Sequence, residues 1–179
     1  AAERGAALTG ELTDYARDVA RSTRVIGIGD SVEHAIPLLQ AAAGPAHPLE
    51  FVRSPGSGKA FLDPASLERV LLNLVVNARD ATPAGGPIRV AVGCRTEASP
   101  LGPVTYASIE VRDEGTGIGP VDLERIFDPF YTTKRAGTGL GLAIVKQVVD
   151  RAGGFVRVDT AAGRGTAFQI LLPRVASEG

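Results

Sequence analysis

The stretch FYTTKRAGTGLGLAIV, Phe130 to Val145, sets two cations and a run of threonines and glycines directly against an apolar helical pattern. Lys134 and Arg135 bring positive charge. The backbone N–H groups of Gly137, Gly139 and Leu140 stand where a helix begins and have no intrahelical acceptor. The helix dipole adds partial positive charge at the same end. Together these features suit an anion, above all the phosphates of a nucleotide.

A second group of candidate residues lies on the helix that Asp63-Pro64 opens. Leu67, Val70, Leu71, Leu74 and Ala78 share one side at helical spacing, and Asn73, Asn77 and Asp80 share another. Asparagine is a mediocre helix former because its amide competes for backbone hydrogen bonds. The pair fits a solvated polar face. It equally fits neutral oxygen ligands near a Mg2+–phosphate cluster, since Mg2+ prefers hard oxygens. In VRDEGTGIG a strand ends at Asp113, with Gly115, Gly117 and Gly119 behind it. A carboxylate so placed can accept from an exocyclic amine such as adenine's, while the glycines let the chain turn and admit the ring. The same letters also describe an ordinary acidic tight turn.

Other patterns suggest chemistry that their sequence context excludes. SPGSGKA ends like a phosphate-binding loop, but Arg53 stands where the first glycine belongs and Ala60 where the hydroxyl belongs, so it reads as a hairpin turn. GTGLGLA is entered from a loop and not from a strand, which excludes the dinucleotide fingerprint. His34 and His47 are too isolated to make a zinc site. The hydrolase elbow G-x-S-x-G does not occur. Cys94, the only cysteine, lies in the alternating run IRVAVGC and reads as a small core residue.

The elements that must carry these residues follow from periodicity and punctuation. Residues 8–26 read as a helix through Leu8, Leu12, Tyr15 and Val19. Asp30 and Ser31 offer a cap for a second helix ending at Gly44 before Pro45. PLEFVRS and AFLD read as short strands around the PGSGK turn. The helix from Asp63 runs to about Thr82, with Asp as cap and Pro in the first turn. IRVAVGCRT and VTYASIEVRD are strands, VDLERIF is a short helical piece, and GLAIVKQVVDRAG is a helix. GFVRVDT and TAFQILLP close the chain as a hairpin around AAGRG. This order predicts an α/β or α+β arrangement with one layer of helices on one sheet.

The chain has 179 residues, 44% of them hydrophobic, enough for one full domain and a short appendage. A net charge of -1 gives no footprint for nucleic acid. No apolar run reaches the roughly 20 residues a bilayer requires, and no signal peptide opens the chain, so a cytoplasmic address is expected for it, within a parent protein that could be membrane-anchored. The start, AAERGAALTG, falls mid-pattern and reads as part of something longer.

Taken in order, NLVVNARDAT, DEGTGIG, IFDPFYTTK, GTGLGLAIV and GRGTAFQILLP resemble the N, G1, F and G2 boxes of the catalytic and ATP-binding domain of bacterial two-component sensor histidine kinases. That family belongs to the GHKL, or Bergerat-fold, superfamily, which also holds DNA gyrase. The resemblance covers about residues 28–175. It implies a two-layer sandwich of a mixed five-stranded sheet and three helices, preceded by a helical stub. Residues 1–27 would be the tail of a dimerisation helix and linker, and 176–179 a short C-terminal tail.

The resemblance further implies ATP and Mg2+ as ligands and assigns roles residue by residue. Asn77 would coordinate the metal, with Asn73 beside the phosphates and Asp80 facing the nucleotide's polar edge. Asp113 would accept from the adenine amine in a pocket shaped by Gly115, Gly117 and Ile118, with Thr166 alongside. Phe127 and Phe130 would pack the base of a lid. Lys134, with Arg135 next to it, would meet phosphate charge. Thr138, Gly139, Leu140 and Gly141 would surround the phosphates.

ATP-hydrolysing branches of the superfamily carry a glutamate one turn before the metal asparagine, and here that position is Asn73. An amide cannot take a proton from water, so phosphoryl transfer to a protein is expected in place of hydrolysis. The expected partners are a dimerisation and histidine-phosphotransfer domain and a response regulator's receiver domain. The phosphoacceptor histidine itself is expected outside this chain, because EHAIP at His34 reverses the family's H-E-x-x-x-P order. The competing classes are a non-catalytic nucleotide-binding or phosphotransfer interaction module and a GHKL ATPase active without a partner.

Overall fold

The computed structural model describes residues 22–134 and 137–175. Most of the helix expected over residues 8–26, the tail 176–179 and Arg135 lie outside the described residues.

Asp63 begins the helix on which the site is built. Its Oδ2 accepts from the Ser66 N–H and the Ser66 hydroxyl, both at 2.7 Å, and Pro64 follows at the first helical position. The helix, α2 below, spans Pro64–Ala81, and Thr82 caps it. Its apolar stripe is buried as the spacing requires: Leu67, Val70, Leu71, Leu74, Val75 and Ala78 all lie in the core. Truncating Leu71, which is fully buried, removes packing worth about 2–5 kcal/mol.

That stripe packs on a five-stranded sheet. In chain order the described elements are β1 (Arg24–Gly27), α1 (Ile28–Ala43), β2 (Leu49–Arg53), β3 (Lys59–Leu62), α2, β4 (Ile88–Glu97), β5 (Val104–Asp113), α3 (Pro120–Leu123), α4 (Gly141–Arg151), β6 (Phe155–Thr160) and β7 (Thr166–Pro173). The sheet order is β2-β4-β5-β7-β6. Only the β2–β4 pair is parallel, so the sheet is mixed as expected. Alternation along the strands puts Ile88, Val90 and Val92, then Ala107, Ile109 and Val111, then Phe168, Ile170 and Leu172 on one buried face. Helices α1, α2 and α4 cover that face, while α3 is a single turn.

Register decides where the polar residues of this face fall. Ile88 pairs with Asp113, Asp113 with Thr166, and Thr166 with Thr160. Asp113 has the same parity as Val111 and Ile109, so it points into the helix-covered side, two residues past the last apolar rung.

Several local expectations yield to tertiary pairing. Arg24–Ile26, expected as the end of a helix, belong to β1, which pairs antiparallel with β3 in a separate two-stranded sheet. PLEFVRS and AFLD are therefore not a hairpin. Leu49 and Phe51 of β2 instead find Ile88 and Val90 of β4 as apolar partners, across a parallel register. Helix α1 starts at Ile28, earlier than an Asp30 or Ser31 cap would place it, with Gly27 as its cap. Asp30, in the first turn, turns to Arg53 of β2 at 2.7 Å, and Glu33 joins the same guanidinium at 2.6 Å.

Cys94 is exposed, contrary to its expected place in the core. Burial along β4 stops after Gly93, and the thiol donates to the Gly56 carbonyl at 2.8 Å. VDLERIF is helical only through Leu123. Beyond it, Arg125 N–H to Asp122 O and Asp128 N–H to Arg125 O are tighter i to i+3 turns.

Candidate functional site

Helix α2 turns its polar side toward the N-terminus of α4 and the preceding loop. A Cβ at Gly141 would lie 3.1 Å from Asn73 Oδ1, so the first residue of α4 abuts that amide. The N–H groups of Gly141, Leu142 and Ala143 begin α4 without intrahelical acceptors, as any helix start must. The Leu140 N–H is held by Thr138 Oγ1 at 3.4 Å. Gly137 differs from expectation, since its N–H closes a turn onto the Lys134 carbonyl at 3.2 Å.

One helical turn on from Asn73, the oxygens converge on a cation. Lys134 Nζ donates to Asn77 Oδ1 and to Asp80 Oδ2, each at 2.9 Å. Arg79 takes the other Asp80 oxygen at 2.8 Å. Partial burial pushes the Asp80 carboxyl up. Hydrogen bonds from Lys134 and Arg79, with their charges, outweigh it and hold Asp80 below its ordinary range.

The far end of α2 meets the glycine loop after β5. Thr116 N–H donates to the Ala81 carbonyl at 3.2 Å, and a Cβ at Gly115 would stand 2.4 Å from that same oxygen. Gly117 has φ +70, and a Cβ there would lie 2.0 Å from the Ala161 carbonyl. Only glycine lets the loop take this shape so close to the β6–β7 turn. Behind the loop Asp113 is 4% exposed. Its Oδ1 accepts from Gly115 N–H at 2.8 Å and Thr166 N–H at 3.2 Å, which leaves Oδ2 for a donor from outside. Burial raises the Asp113 carboxyl above its usual range, more than these two donors lower it.

Thr166 is buried at the start of β7 and pairs across the strands with Asp113, and Ile118 packs against the core. Thr160 and Gly165 belong to this corner although neither stood out in the sequence. Ile118 N–H donates to Thr160 Oγ1 at 2.9 Å, and a Cβ at Gly165 would meet the Asp113 carbonyl at 2.0 Å. The only signal was a threonine at each end of a five-residue turn, which many hairpins share.

The base of the loop expected to act as a lid is anchored differently from expectation. Phe127 packs partly buried on the core, but Phe130 is 69% exposed at φ +67. Its N–H donates to the Gly139 carbonyl at 2.9 Å, and that pairing turns the ring outward. Tyr131 takes the anchoring place, donating to Asp122 Oδ1 at 2.5 Å with the Arg125 guanidinium 4.3 Å from its ring centre.

The discarded patterns stay apart from this region. The PGSGK segment joins β2 to β3, and His34 is exposed on α1. His47 sits between the Ala43 and Thr82 carbonyls at 3.3 and 3.1 Å. Among the described residues no group of three or more His, Cys, Asp or Glu could hold a metal unaided. Two surface cavities lie elsewhere: one of about 150 Å³ between Phe61 and Arg151, and one of about 350 Å³ over the sheet face opposite α1, α2 and α4, at Gly93 and Ser108.

A sheet with one face covered by α1, α2 and α4, and α2's amides turned toward a glycine-rich loop, has the layout of the superfamily that the motifs resemble. The family described as "Histidine kinase-, DNA gyrase B-, and HSP90-like ATPase" matches residues 62–176, and the chain belongs to it. Among curated relatives, Sensor kinase CckA of Brucella abortus (strain 2308) is 36% identical over 186 residues, covering 99% of this chain and 20% of that protein. Sensor histidine kinase ZraS of Klebsiella oxytoca is 33% identical over 164 residues, covering 91% of this chain and 34% of that protein. The chain thus spans between a fifth and about a third of these relatives.

Solved structures agree. The mycobacterial sensor histidine kinase MprB superposes with a TM-score of 0.70 at 29% identity, covering 85% of this chain and 97% of that one. Full-length ShkA in complex with AMPPNP superposes with a TM-score of 0.70 at 27% identity, covering 88% and 32%. Among the described residues no helix is long and apolar enough to cross a membrane.

Proposed function

We propose that this chain is the ATP-binding catalytic domain of a sensor histidine kinase, which donates the γ-phosphoryl group of ATP to a histidine on a separate dimerisation domain. The observation that carries the reading is a division of labour along α2. At Asn73 and Asn77 it meets a helix N-terminus and a lysine, both suited to phosphates. Past Ala81 it meets Asp113, a buried acceptor suited to an exocyclic amine. The family match and the AMPPNP held by ShkA support the same ligand class.

In this reading Asp113 Oδ2 takes the adenine amine, Gly115, Gly117 and Ile118 shape the slot, and Thr166 lies beside the base. Asn73, Thr138, Gly139, Leu140 and Gly141 surround the phosphates, and Lys134 leaves Asn77 and Asp80 to meet phosphate charge. Phe127 supports the lid. The donor set also fits Mg2+: Asn77 Oδ1 and Asp80 Oδ2 are hard oxygens that already converge on one cationic centre, the Lys134 ammonium. Bound there through Asn77, the ion would neutralise phosphate charge.

The chain's own contribution is to hold the nucleotide and aim its terminal phosphate outward. The acceptor imidazole nitrogen attacks the γ-phosphorus, the bond to the β–γ bridging oxygen breaks, ADP leaves, and the imidazole proton passes to solvent. Asn73 offers no base for water, which favours transfer over hydrolysis. Residues 28–175 would form this domain, with a dimerisation domain and a receiver domain as protein partners.

Calorimetric titration with ATP, with and without Mg2+, tests the reading. Asn77→Ala should weaken binding mainly when Mg2+ is present. Equal losses in both conditions would make Asn77 a packing residue and remove it from the site. A separately prepared dimerisation domain should then become labelled from γ-labelled ATP. Steady ATP turnover by the chain alone would indicate an ATPase, and no nucleotide binding an interaction module.

A further inference from the structure

Thr160 closes β6 opposite Thr166, and its hydroxyl has more neighbours than protons. Ile118 N–H donates to Thr160 Oγ1 at 2.9 Å, the Gly165 carbonyl lies 3.0 Å away, and Thr166 Oγ1 lies 3.0 Å away. A hydroxyl owns one proton and two lone pairs. The Gly165 carbonyl has no proton to offer, so the Thr160 proton must point to it. Ile118 occupies one lone pair. The remaining contact closes only if Thr166 donates to the other, which commits Thr166's single proton.

We infer that Thr160 is a positioning residue for base selection. By taking the Thr166 proton, it leaves Thr166 Oγ1 with lone pairs alone. Thr166 pairs across the strands with Asp113, whose Oδ1 is already engaged by two N–H donors and whose Oδ2 is an acceptor. The Asp113–Thr166 rung therefore offers side-chain acceptors and no side-chain proton. It suits a ring edge bearing an exocyclic amine and repels a carbonyl at the same position, because facing lone pairs leave both groups unsatisfied. This rests on the nucleotide reading above and adds to it a residue that sets selectivity by acting through Thr166.

ATP and ITP differ along the edge at issue, a 6-amine with an unprotonated N1 against a 6-carbonyl with an N1–H, and their dissociation constants can be measured for the wild type, Thr160→Val and Thr160→Ser. Valine keeps the branched shape but frees the Thr166 proton to turn toward the base, so the ATP-over-ITP preference should narrow by about tenfold. Serine restores the hydroxyl and should restore the preference. If Thr160→Val weakens both nucleotides by the same factor, Thr160 is merely structural and the inference falls. Should Thr160→Val not fold, Thr160→Ala also removes the hydroxyl and carries the same comparison. The wild-type arm separates the two levels: absent ATP binding overturns the nucleotide reading itself, whereas intact preference in both the wild type and the hydroxyl-free variant overturns only the role of Thr160.

Discussion

Replacing Asp113 by asparagine should stabilise the fold while weakening adenine nucleotides. Burial raises the carboxyl's pKa above its unfolded value. The folded state therefore binds this proton more tightly than the unfolded chain does. The resulting stability is complete below the unfolded carboxylate pKa and is lost as pH rises through the folded one. At neutral pH the ionised side chain is consequently a cost, which a neutral amide removes. Asparagine can keep its oxygen on the Gly115 and Thr166 N–H groups, because both protein donors use Oδ1.

That same constraint directs the new NH2 group to the place of Oδ2, where it would face the adenine amine donor to donor. Losing a hydrogen bond to a charged acceptor costs about 1.5–3 kcal/mol, or about tenfold to a hundredfold in affinity. Thermal melts at neutral and acidic pH should show the variant more stable only near neutrality, and calorimetry should show the drop for ATP. A variant that melts lower at neutral pH and binds ATP unchanged would refute both the burial cost and the role of Oδ2.

Lys134→Met should loosen the lid, and faster amide exchange over residues 128–134 in nucleotide-free protein would show it. Because Lys134 is 39% exposed, the change in global stability should stay within about 1 kcal/mol, and a larger loss would mean the pair is structural. Gly117→Ala should cost about 1–2 kcal/mol from its left-handed backbone alone, and more from the approach to Ala161, with loss of ATP binding. A melt and titration matching wild type would show that the loop has no such constraint. Incubated alone with Mg2+ and labelled ATP, the chain should not phosphorylate itself; acid-labile phosphate on His34 or His47 would contradict the expectation of an external acceptor.

Features governed by neighbours in the chain were legible from the amino-acid sequence. The two faces of α2 follow from helical spacing, and its start at Asp63 from cap chemistry three residues deep. Strands β4 and β5 and the β6–β7 hairpin follow from alternation bounded by turns. The ordered motifs carried the resemblance, and with it the mixed sheet under three helices. What the tertiary structure alone decided depends on partners far apart in the chain. β1 and β3 pair with each other, β2 joins β4 in parallel, and Cys94 runs past the covered part of the sheet. Phe130 is turned outward by its bond to Gly139, so Tyr131 anchors the loop. Lys134 reaches Asn77 and Asp80 across more than fifty residues, and Thr160 joins Ile118, Gly165 and Thr166 through one hydroxyl. Local propensity says which residues can donate or accept; only the packed fold brings each donor to its acceptor and settles which way a shared proton points.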